Sequence, residues 1–176
     1  AAAGWRRARR AAGCDPLTGL PNRAALAAEI ERAWSAARRH GDALAVAVAD
    51  VDGFKEWNDR QGHDAGDRAL RRVARALRAG CRASDFVARW GGDEFVLVLP
   101  RTSRAGAETL RRRLSDAIHR PSISIGAAAH PDDAVRSAAA LLRKADAALR
   151  RVKRERRKSA GPPKAGPRTR RARRRE

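Results

Sequence analysis

Three carboxylate side chains stand beside apolar segments of the chain, where a buried strand would end or turn. Asp50 comes directly after the apolar run 43–49, and Asp93 and Glu94 lie between two further apolar segments. Hard carboxylate oxygens brought together at strand ends are the ligands that Mg²⁺ on the phosphates of a nucleotide requires. The positions therefore indicate a metal and phosphate site. Taken singly, each of these residues also suits a turn, and that interpretation stays open here.

The elements that must position these residues follow from the hydrophobic pattern. The first strand ends at Asp50, and the next two form a hairpin around Gly91 and Gly92, which leave room for a backbone to approach a bulky ligand. The order of elements predicts a mixed sheet covered by helices. The helices are predicted over 23–39 (with Asn22 as N-cap), 54–60, 65–78, 103–118 and 138–153, and the strands over 43–49, 86–88, 95–99 and 122–128.

The charge of the chain lies mainly at its two ends. Of 176 residues, 40 are Lys or Arg and 20 are Asp or Glu, and the formal net charge is +20. Residues 1–10 hold four Arg, and residues 151–176 hold 13 Lys or Arg against two Glu. We therefore expect three parts: an Ala/Arg-rich helical extension (1–12), one folded domain (13–158) and a disordered basic tail (159–176).

The composition also excludes several classes of protein. The chain has no run of about 18 apolar residues, which excludes a membrane span, and no signal-peptide pattern is visible. Its two cysteines, Cys14 and Cys81, are too few for a disulfide scaffold or a structural zinc site. A reducing cytosol fits these features. We expect a cytoplasmic protein, or the cytoplasmic part of a longer, membrane-attached one.

Short motifs occur in a fixed order between residues 13 and 158. They are DPLTGLPNR at 15–23, DVDGFKEWND at 50–59, GHDAGD at 62–67, RWGGDEF at 89–95, SIG at 124–126 and ADAAL at 145–149. Together they resemble the GGDEF family of diguanylate cyclases, and a chance match of all six is not credible.

The resemblance implies both a fold and a reaction. The fold is α+β, the ferredoxin-like palm shared with nucleotide cyclases. The reaction is the condensation of two GTP to cyclic di-GMP with release of pyrophosphate. It depends on Mg²⁺, with Mn²⁺ as a substitute, and on a homodimer in which each domain binds one GTP. Since phosphoryl chemistry leaves the protein little covalent work, its task is positioning and charge neutralisation.

The resemblance also assigns roles to individual residues. Asp50, the backbone carbonyl of Val51 and Asp93 would hold the metal, with help from Glu94. Asp93 would also assist removal of the proton from the attacking 3′-hydroxyl, so that Asp93 and Glu94 are the catalytic pair. The substrate-binding residues would be Asn58, Asp67 and nearby His63 for guanine, and Phe54, Lys55, Gly91, Gly92, Lys153 and Arg157 for the rest of GTP. Arg82 and Asp85 fit the RxxD product-inhibition motif.

Two regions depart from the family pattern. Arg150, Val152, Arg156 and Lys158 stand where the family usually has Tyr, Ala, Gly and Asn, and only residues 119–121 occupy a connection that usually contains an extra strand. These departures keep open an alternative function: a weak or inactive GGDEF domain that senses cyclic di-GMP or GTP.

Two further partners are expected. We expect an upstream sensory or dimerising module outside this sequence, which would help two domains to meet. The basic tail would bind polyanions such as nucleic acid non-specifically, with a steep salt dependence.

Overall fold

Helices and strands alternate along residues 13–159, which are the residues that the structure, a computed structural model, describes. Every predicted helix and strand is present within this range. The helices are α1 (Arg23–His40), α2 (Phe54–Gln61), α3 (His63–Ala79), α4 (Arg104–Ala117) and α5 (Ala138–Ser159), and the strands are β1 (Leu44–Val51), β2 (Phe86–Gly91), β3 (Glu94–Pro100) and β4 (Ile123–His130).

The four strands form one antiparallel sheet in the order β2-β3-β1-β4. This arrangement corrects the expectation of a mixed sheet. The helical connection makes β1 and β2 run in the same direction, but β3 inserts between them and β4 pairs with the other side of β1. Neighbouring strands of the described sheet are therefore antiparallel, as in the split βαβ arrangement of ferredoxin-like folds. The predicted α+β palm is confirmed.

Helices cover both faces of the sheet because the side chains of each strand alternate. On β1, Ala45, Ala47 and Ala49 belong to the core shared with α3 and α4. Val46 and Val48 belong to the core shared with α1 and α5. All eight residues of β1 are buried. Burial on both faces explains why this strand is a continuous apolar run in the sequence.

The ends of the helices follow local capping chemistry. The side chain of Asn22 accepts hydrogen bonds from the backbone N–H groups of Ala24 and Ala25, as expected for the N-cap of α1. At the other end of the chain, α5 continues six residues past its predicted end at Lys153 and includes Ser159, which was assigned to the tail. The Arg- and Lys-rich segment after Lys153 has good helix propensity, and positive charge suits a helix C-terminus.

Two predictions fall on residues that the structure does not describe. The N-terminal extension (1–12) and the tail from residue 160 onward, with its polyanion binding, lie outside the described residues. None of the helices between residues 13 and 159 has both the length and the apolar character needed to cross a membrane.

Helix α5 packs directly on β4 at Gly126. A Cβ atom built at this glycine would lie 1.9 Å from the backbone nitrogen of Leu149 and 2.5 Å from its Cα. No other residue type leaves space for this approach. The close contact brings the C-terminal half of α5, and Lys153 with it, to the edge of the sheet where β1 ends.

Candidate functional site

The strand register brings the predicted carboxylates to one edge of the sheet. Asp50, near the end of β1, pairs with Glu94 at the start of β3 and with Ser124 near the start of β4. The backbone N–H of Val51 donates to the carbonyl of Asp93 at 3.2 Å, which ties the hairpin turn to the end of β1. The sequence prediction that Asp50, Asp93 and Glu94 lie together therefore agrees with the geometry.

Asp50 is buried beside two other carboxylates, those of Asp93 and Glu94. It is 8% exposed. Burial raises the pKa of its carboxyl group, the ion pair with Lys153 lowers it, and the nearby Asp93 and Glu94 carboxylates raise it again. The net effect is a raised pKa. A carboxylate in such surroundings favours a bound cation, and in this structure the ammonium group of Lys153 contacts its Oδ1 atom.

The donors at this edge fit a magnesium ion that is also bound by substrate. Within residues 13–159, no three His, Cys, Asp or Glu side chains are placed so that they could hold a metal together. Mg²⁺ rarely uses such all-protein cages; it binds one or two carboxylates, keeps several waters, and takes the remaining ligands from phosphates. The buried Asp50 carboxylate and the adjoining backbone and carboxylate oxygens match that pattern.

The turn at Gly91 and Gly92, called the glycine turn, is held by an arginine and an aspartate from distant parts of the chain. Arg89 donates to the carbonyl of Gly92 through Nε at 3.0 Å and Nη2 at 2.6 Å. It also forms an ion pair with Asp15 at 3.0 Å, and Asp15 accepts from the backbone N–H and hydroxyl of Thr18. Gly92 adopts a φ of +37°, and a Cβ atom built at either Gly91 or Gly92 would meet no atom within 4 Å.

These contacts set the ionisation of Asp15. Burial raises the pKa of its carboxyl group, but the hydrogen bonds from Thr18 and Arg89 outweigh burial and leave the pKa lowered. In the sequence, Asp15 and Arg89 are the first residues of two separate motifs. Their separation of 74 residues gave no signal that they meet.

The residues expected to read guanine meet where α2 contacts α3. A Cβ atom at Gly66 would lie 1.9 Å from Oδ1 of Asn58, so only a glycine leaves enough space for the asparagine side chain in this position. That Oδ1 atom is buried and accepts no hydrogen bond within the described residues. Asp67 follows Gly66 and is half-buried, and His63 is exposed one turn earlier on α3. The structure thus places Asn58 against Gly66, the residue that precedes Asp67.

The residues expected to hold the phosphates lie around the loop after β1. Gly53 precedes α2 in a left-handed conformation, and Phe54 and Lys55 begin the helix. Lys153 and Arg157 line a cavity of about 190 Å³ together with Gly53, Asp52 and Arg156. Gly53, which precedes α2, and the basic side chains of α5 therefore line one small space, which suits an anion, whereas Phe54 and Lys55 are not among its lining residues.

Asp52 is the centre of a hydrogen-bond network that the motif assignments did not include. Its carboxylate accepts from the hydroxyls of Ser122 at 3.0 Å and Ser124 at 2.6 Å. It also forms an ion pair with Arg156. The sequence shows Asp50 and Asp52 two residues apart. It does not show which of the arginines near residue 156 contacts Asp52, because that depends on how α5 packs in the tertiary structure.

The predicted product-inhibition residues lie on the opposite side of the molecule's core from α5. Asp85 is 6% exposed, and its Oδ2 accepts from the backbone N–H of Arg82 at 2.8 Å. Its Oδ1 is buried without a hydrogen-bond partner among the described residues. Both residues line a cleft of about 790 Å³ between α3 and α4. Beside them, burial and the Asp85 carboxylate raise the pKa of the Cys81 thiol to about 11, which fits an inert thiol.

Known proteins resemble this chain over nearly all of the described range. The family model described as "Diguanylate cyclase, GGDEF domain" matches residues 12–159. Diguanylate cyclase DgcP of Pseudomonas aeruginosa is 50% identical over 104 residues, which are 59% of this chain and 16% of DgcP. Diguanylate cyclase TpbB of the same species is 42% identical over an alignment of 157 residues that covers 82% of this chain and 36% of TpbB.

A solved structure has the same architecture. The coiled coil and GGDEF domain of DgcB from Caulobacter crescentus, determined in complex with c-di-GMP, superposes with a TM-score of 0.82 at 30% identity, over 88% of this chain and 87% of that one. The chain spans only 16% and 36% of the length of the two curated relatives. The family match over residues 12–159 nevertheless covers most of this sequence, and the chain belongs to the GGDEF domain family of diguanylate cyclases.

Proposed function

We propose that this domain is a diguanylate cyclase that condenses two GTP into cyclic di-GMP and releases two pyrophosphates. The observation that carries the proposal is the edge of the sheet at which Asp50 and Glu94 lie in register beside Asp93. The basic side chains of α5 face the same edge. This arrangement combines acceptors for a metal with donors for phosphates, as phosphoryl transfer requires.

Each group in the site has a task in this proposal. Asp50, the carbonyl of Val51 and Asp93, assisted by Glu94, would hold Mg²⁺, or Mn²⁺ in its place, and the ion would neutralise charge on the phosphates. Asp93 assists removal of the proton from the 3′-hydroxyl. Lys153 contacts Asp50 here, and its ammonium group would move to contact a phosphate when the ion binds.

The remaining substrate contacts are those that the family resemblance implies. The backbone at Phe54 and the Lys55 ammonium bind the triphosphate with Arg157, and Gly91 and Gly92 leave room for the nucleotide. Asn58 and Asp67, with His63 nearby, select guanine, because a carboxylate accepts from both its N1–H and its amino group. A half-buried acid left unpaired in the complex would penalise adenine.

The reaction also needs a second copy of the domain, so that each 3′-hydroxyl attacks the α-phosphate held by the partner copy. We expect the rate per domain to rise with protein concentration. The test is to incubate purified protein over a wide concentration range with GTP and Mg²⁺ and to measure cyclic di-GMP and pyrophosphate. Activity strictly proportional to concentration at high dilution would contradict the homodimer.

The same assay tests the proposed function itself. Replacing Asp93 and Glu94 by Ala removes the acceptors at the hairpin, and synthesis should disappear. Asp116→Ala is a matched control, because Asp116 is an exposed acid on α4. Absence of product from wild-type protein at high concentration, after removal of bound nucleotide, would contradict the cyclase proposal.

We also propose that cyclic di-GMP inhibits the domain at Arg82 and Asp85. Both residues line the cleft, the exposed Arg82 guanidinium can donate to guanine or phosphate, and the buried Oδ1 of Asp85 could accept from guanine once the loop opens towards the ligand. Arg82→Ala should weaken binding of cyclic di-GMP in a calorimetric titration, whereas Arg68→Ala, an exposed arginine on α3, should not. Equal affinities of wild-type protein and Arg82→Ala would count against this site.

The same cleft supports a second candidate function. A domain that binds cyclic di-GMP at Arg82 and Asp85 without making it would be a sensor, and the unusual residues between 150 and 158 and the short connection at 119–121 favour this candidate. Tight binding of cyclic di-GMP together with no synthesis would establish the sensor and exclude the cyclase.

Replacing Gly66 by Ala should specifically weaken recognition of GTP. The new Cβ would lie 1.9 Å from Oδ1 of Asn58 and 3.2 Å from Cζ of Phe54, so the asparagine must move. We expect the KM for GTP to rise by about tenfold, while the gain in helix propensity of up to about 1 kcal/mol limits any loss of stability. Gly106→Ala in α4 is the control for a helical glycine. An unchanged KM would show that Asn58 does not read guanine from this position.

Replacing Asp15 by Asn should loosen the glycine turn. Arg89 would lose the charge of its partner, and the free energy of unfolding should fall by about 1–3 kcal/mol, with a lower rate of synthesis. Because the pKa of Asp15 is lowered in the folded protein, its contribution is present above the unfolded pKa and is lost as the pH falls through the folded one. Chemical denaturation at neutral and acidic pH measures the loss of stability and its dependence on pH, and the cyclic di-GMP formed from GTP measures the rate of synthesis.

The Glu29–Arg32 pair, which joins residues three apart on α1 and whose arginine side chain is 70% exposed, supplies the control for this substitution. Glu29→Gln should change the free energy of unfolding by no more than about 1 kcal/mol. If Asp15→Asn behaves in the same way, the ion pair with Arg89 does not stabilise the turn.

A further inference from the structure

Arg156 is attached to the site by only part of its guanidinium group. Its Nη1 atom contacts Oδ2 of Asp52 and donates to the carbonyl of Ile123 at 3.3 Å. Asp52 is itself fixed by the hydroxyls of Ser122 and Ser124. The guanidinium is therefore anchored at one nitrogen to a carboxylate that has little freedom to move.

The other nitrogens of Arg156 remain free to donate. Within the described residues, neither Nε nor Nη2 has a protein acceptor, and the side chain is 51% exposed. A guanidinium carries five N–H donors in a rigid plane, so fixing one edge also fixes the direction of the rest. Anchoring at Nη1 thus leaves a pre-oriented set of donors.

These donors border a small cavity that two other basic side chains also line. Arg156 lines the space of about 190 Å³ with Lys153, Arg157 and Gly53. Positions 153, 156 and 157 lie on one face of α5, because residues three and four apart are neighbours on a helix. Three cations converge there, whereas Asp52, which also lines the cavity, already has partners at both carboxylate oxygens.

We propose that Arg156 is a further substrate-binding residue, anchored by Asp52, whose free N–H groups bind the terminal phosphates of the nucleoside triphosphate. The inference rests on the proposed function, because it takes that triphosphate as the ligand. Charge-assisted hydrogen bonds from a fixed guanidinium to phosphate oxygens are strong and directional. Arg156 adds in this way a phosphate contact at a position where the family usually has Gly.

The test measures binding without turnover. 3′-Deoxy-GTP lacks the attacking hydroxyl and cannot be cyclised, so its affinity in the presence of Mg²⁺ is read by calorimetry on the full chain. Arg156→Gln removes the charge and keeps good helix propensity. The affinity for 3′-deoxy-GTP should fall roughly tenfold to a hundredfold. The affinity for GMP, which lacks the terminal phosphates, should change far less.

Arg154→Gln is the matched control, since Arg154 is an exposed arginine on the same helix outside this cavity. It should leave both affinities unchanged. Arg156→Lys should be intermediate, because one ammonium group cannot reproduce the two-sided contact. Equal losses in Arg154→Gln and Arg156→Gln would show a general charge effect and overturn the inference. So would an unchanged affinity of Arg156→Gln, or an equal loss of GMP binding.

The outcomes also separate this inference from the proposed function. A wild-type protein that binds 3′-deoxy-GTP through Arg156 but makes no cyclic di-GMP contradicts only the cyclase. A wild-type protein that makes cyclic di-GMP, with Arg156→Gln unaltered in binding, contradicts only the role of Arg156. A wild-type protein that does not bind 3′-deoxy-GTP contradicts the role of Arg156 directly.

Discussion

Replacing Asp50 by Asn is expected to abolish synthesis of cyclic di-GMP without destabilising the fold. The amide keeps the shape of the carboxylate, but it removes the negative charge that would hold the metal and that pairs with Lys153. Loss of such a ligand weakens stabilisation of charge on the phosphates, and we expect a decrease in rate on the order of a hundredfold or more. The rate is measured from cyclic di-GMP formed at saturating GTP.

The stability of the same variant should depend on pH in a defined direction. Burial raises the pKa of Asp50 in the folded protein, and Asp93 and Glu94 add to this effect. A group with a raised folded pKa stabilises the protein below its unfolded pKa, and this contribution is lost as the pH rises through the folded pKa. The Asn variant lacks this loss, so its stability relative to wild type should increase as the pH is raised from acid to neutral.

Denaturation of both proteins at a series of pH values tests that expectation. Asp116→Asn is the control, since an exposed acid on α4 should show neither the loss of activity nor the pH-dependent gain. An Asp50→Asn variant that unfolds more easily than wild type at neutral pH would show that Asp50 and Lys153 form a stabilising pair. An active variant would place the metal elsewhere.

Replacing Gly126 by Ala is expected to be the most damaging single-methyl change to the fold. The new Cβ would lie 1.9 Å from the backbone nitrogen of Leu149 and 2.6 Å from the carbonyl carbon of Ala148. These are backbone atoms of α5, so the whole helix must shift. Overpacking of this kind costs about 3 kcal/mol. For a domain of this size, that corresponds to a decrease in Tm of roughly 10 °C, measurable by calorimetry.

The shift would also impair the site, because α5 carries Lys153 and Arg157. Gly91→Ala provides the contrast: a Cβ at Gly91 meets nothing within 4 Å. That variant should keep the wild-type Tm, and it should lose GTP binding if the nucleotide passes close to the turn. A Gly126→Ala variant with an unchanged Tm would contradict the close packing of α5 on β4.

The sequence predicted much of this molecule because its elements have strong local signals. The run 43–49 is apolar over its full length, and Asn22 has the chemistry of an N-cap. The motif residues Asp50, Asp93 and Glu94 stand at strand ends, so the register brings them together once the strands pair. The predicted mixed sheet was wrong because a local pattern does not show that β3 lies between β1 and β2.

What the sequence determined by itself was the set of elements, the family resemblance and the identity of the acidic residues, since each depends on residue types over short separations. Only the tertiary structure decided which distant charges meet. It joined Asp15 to Arg89 across 74 residues and Asp52 to Arg156 across 104. Many arginines in this chain are equivalent by sequence, and only the packing of α5 on Gly126 determines which of them reaches the site.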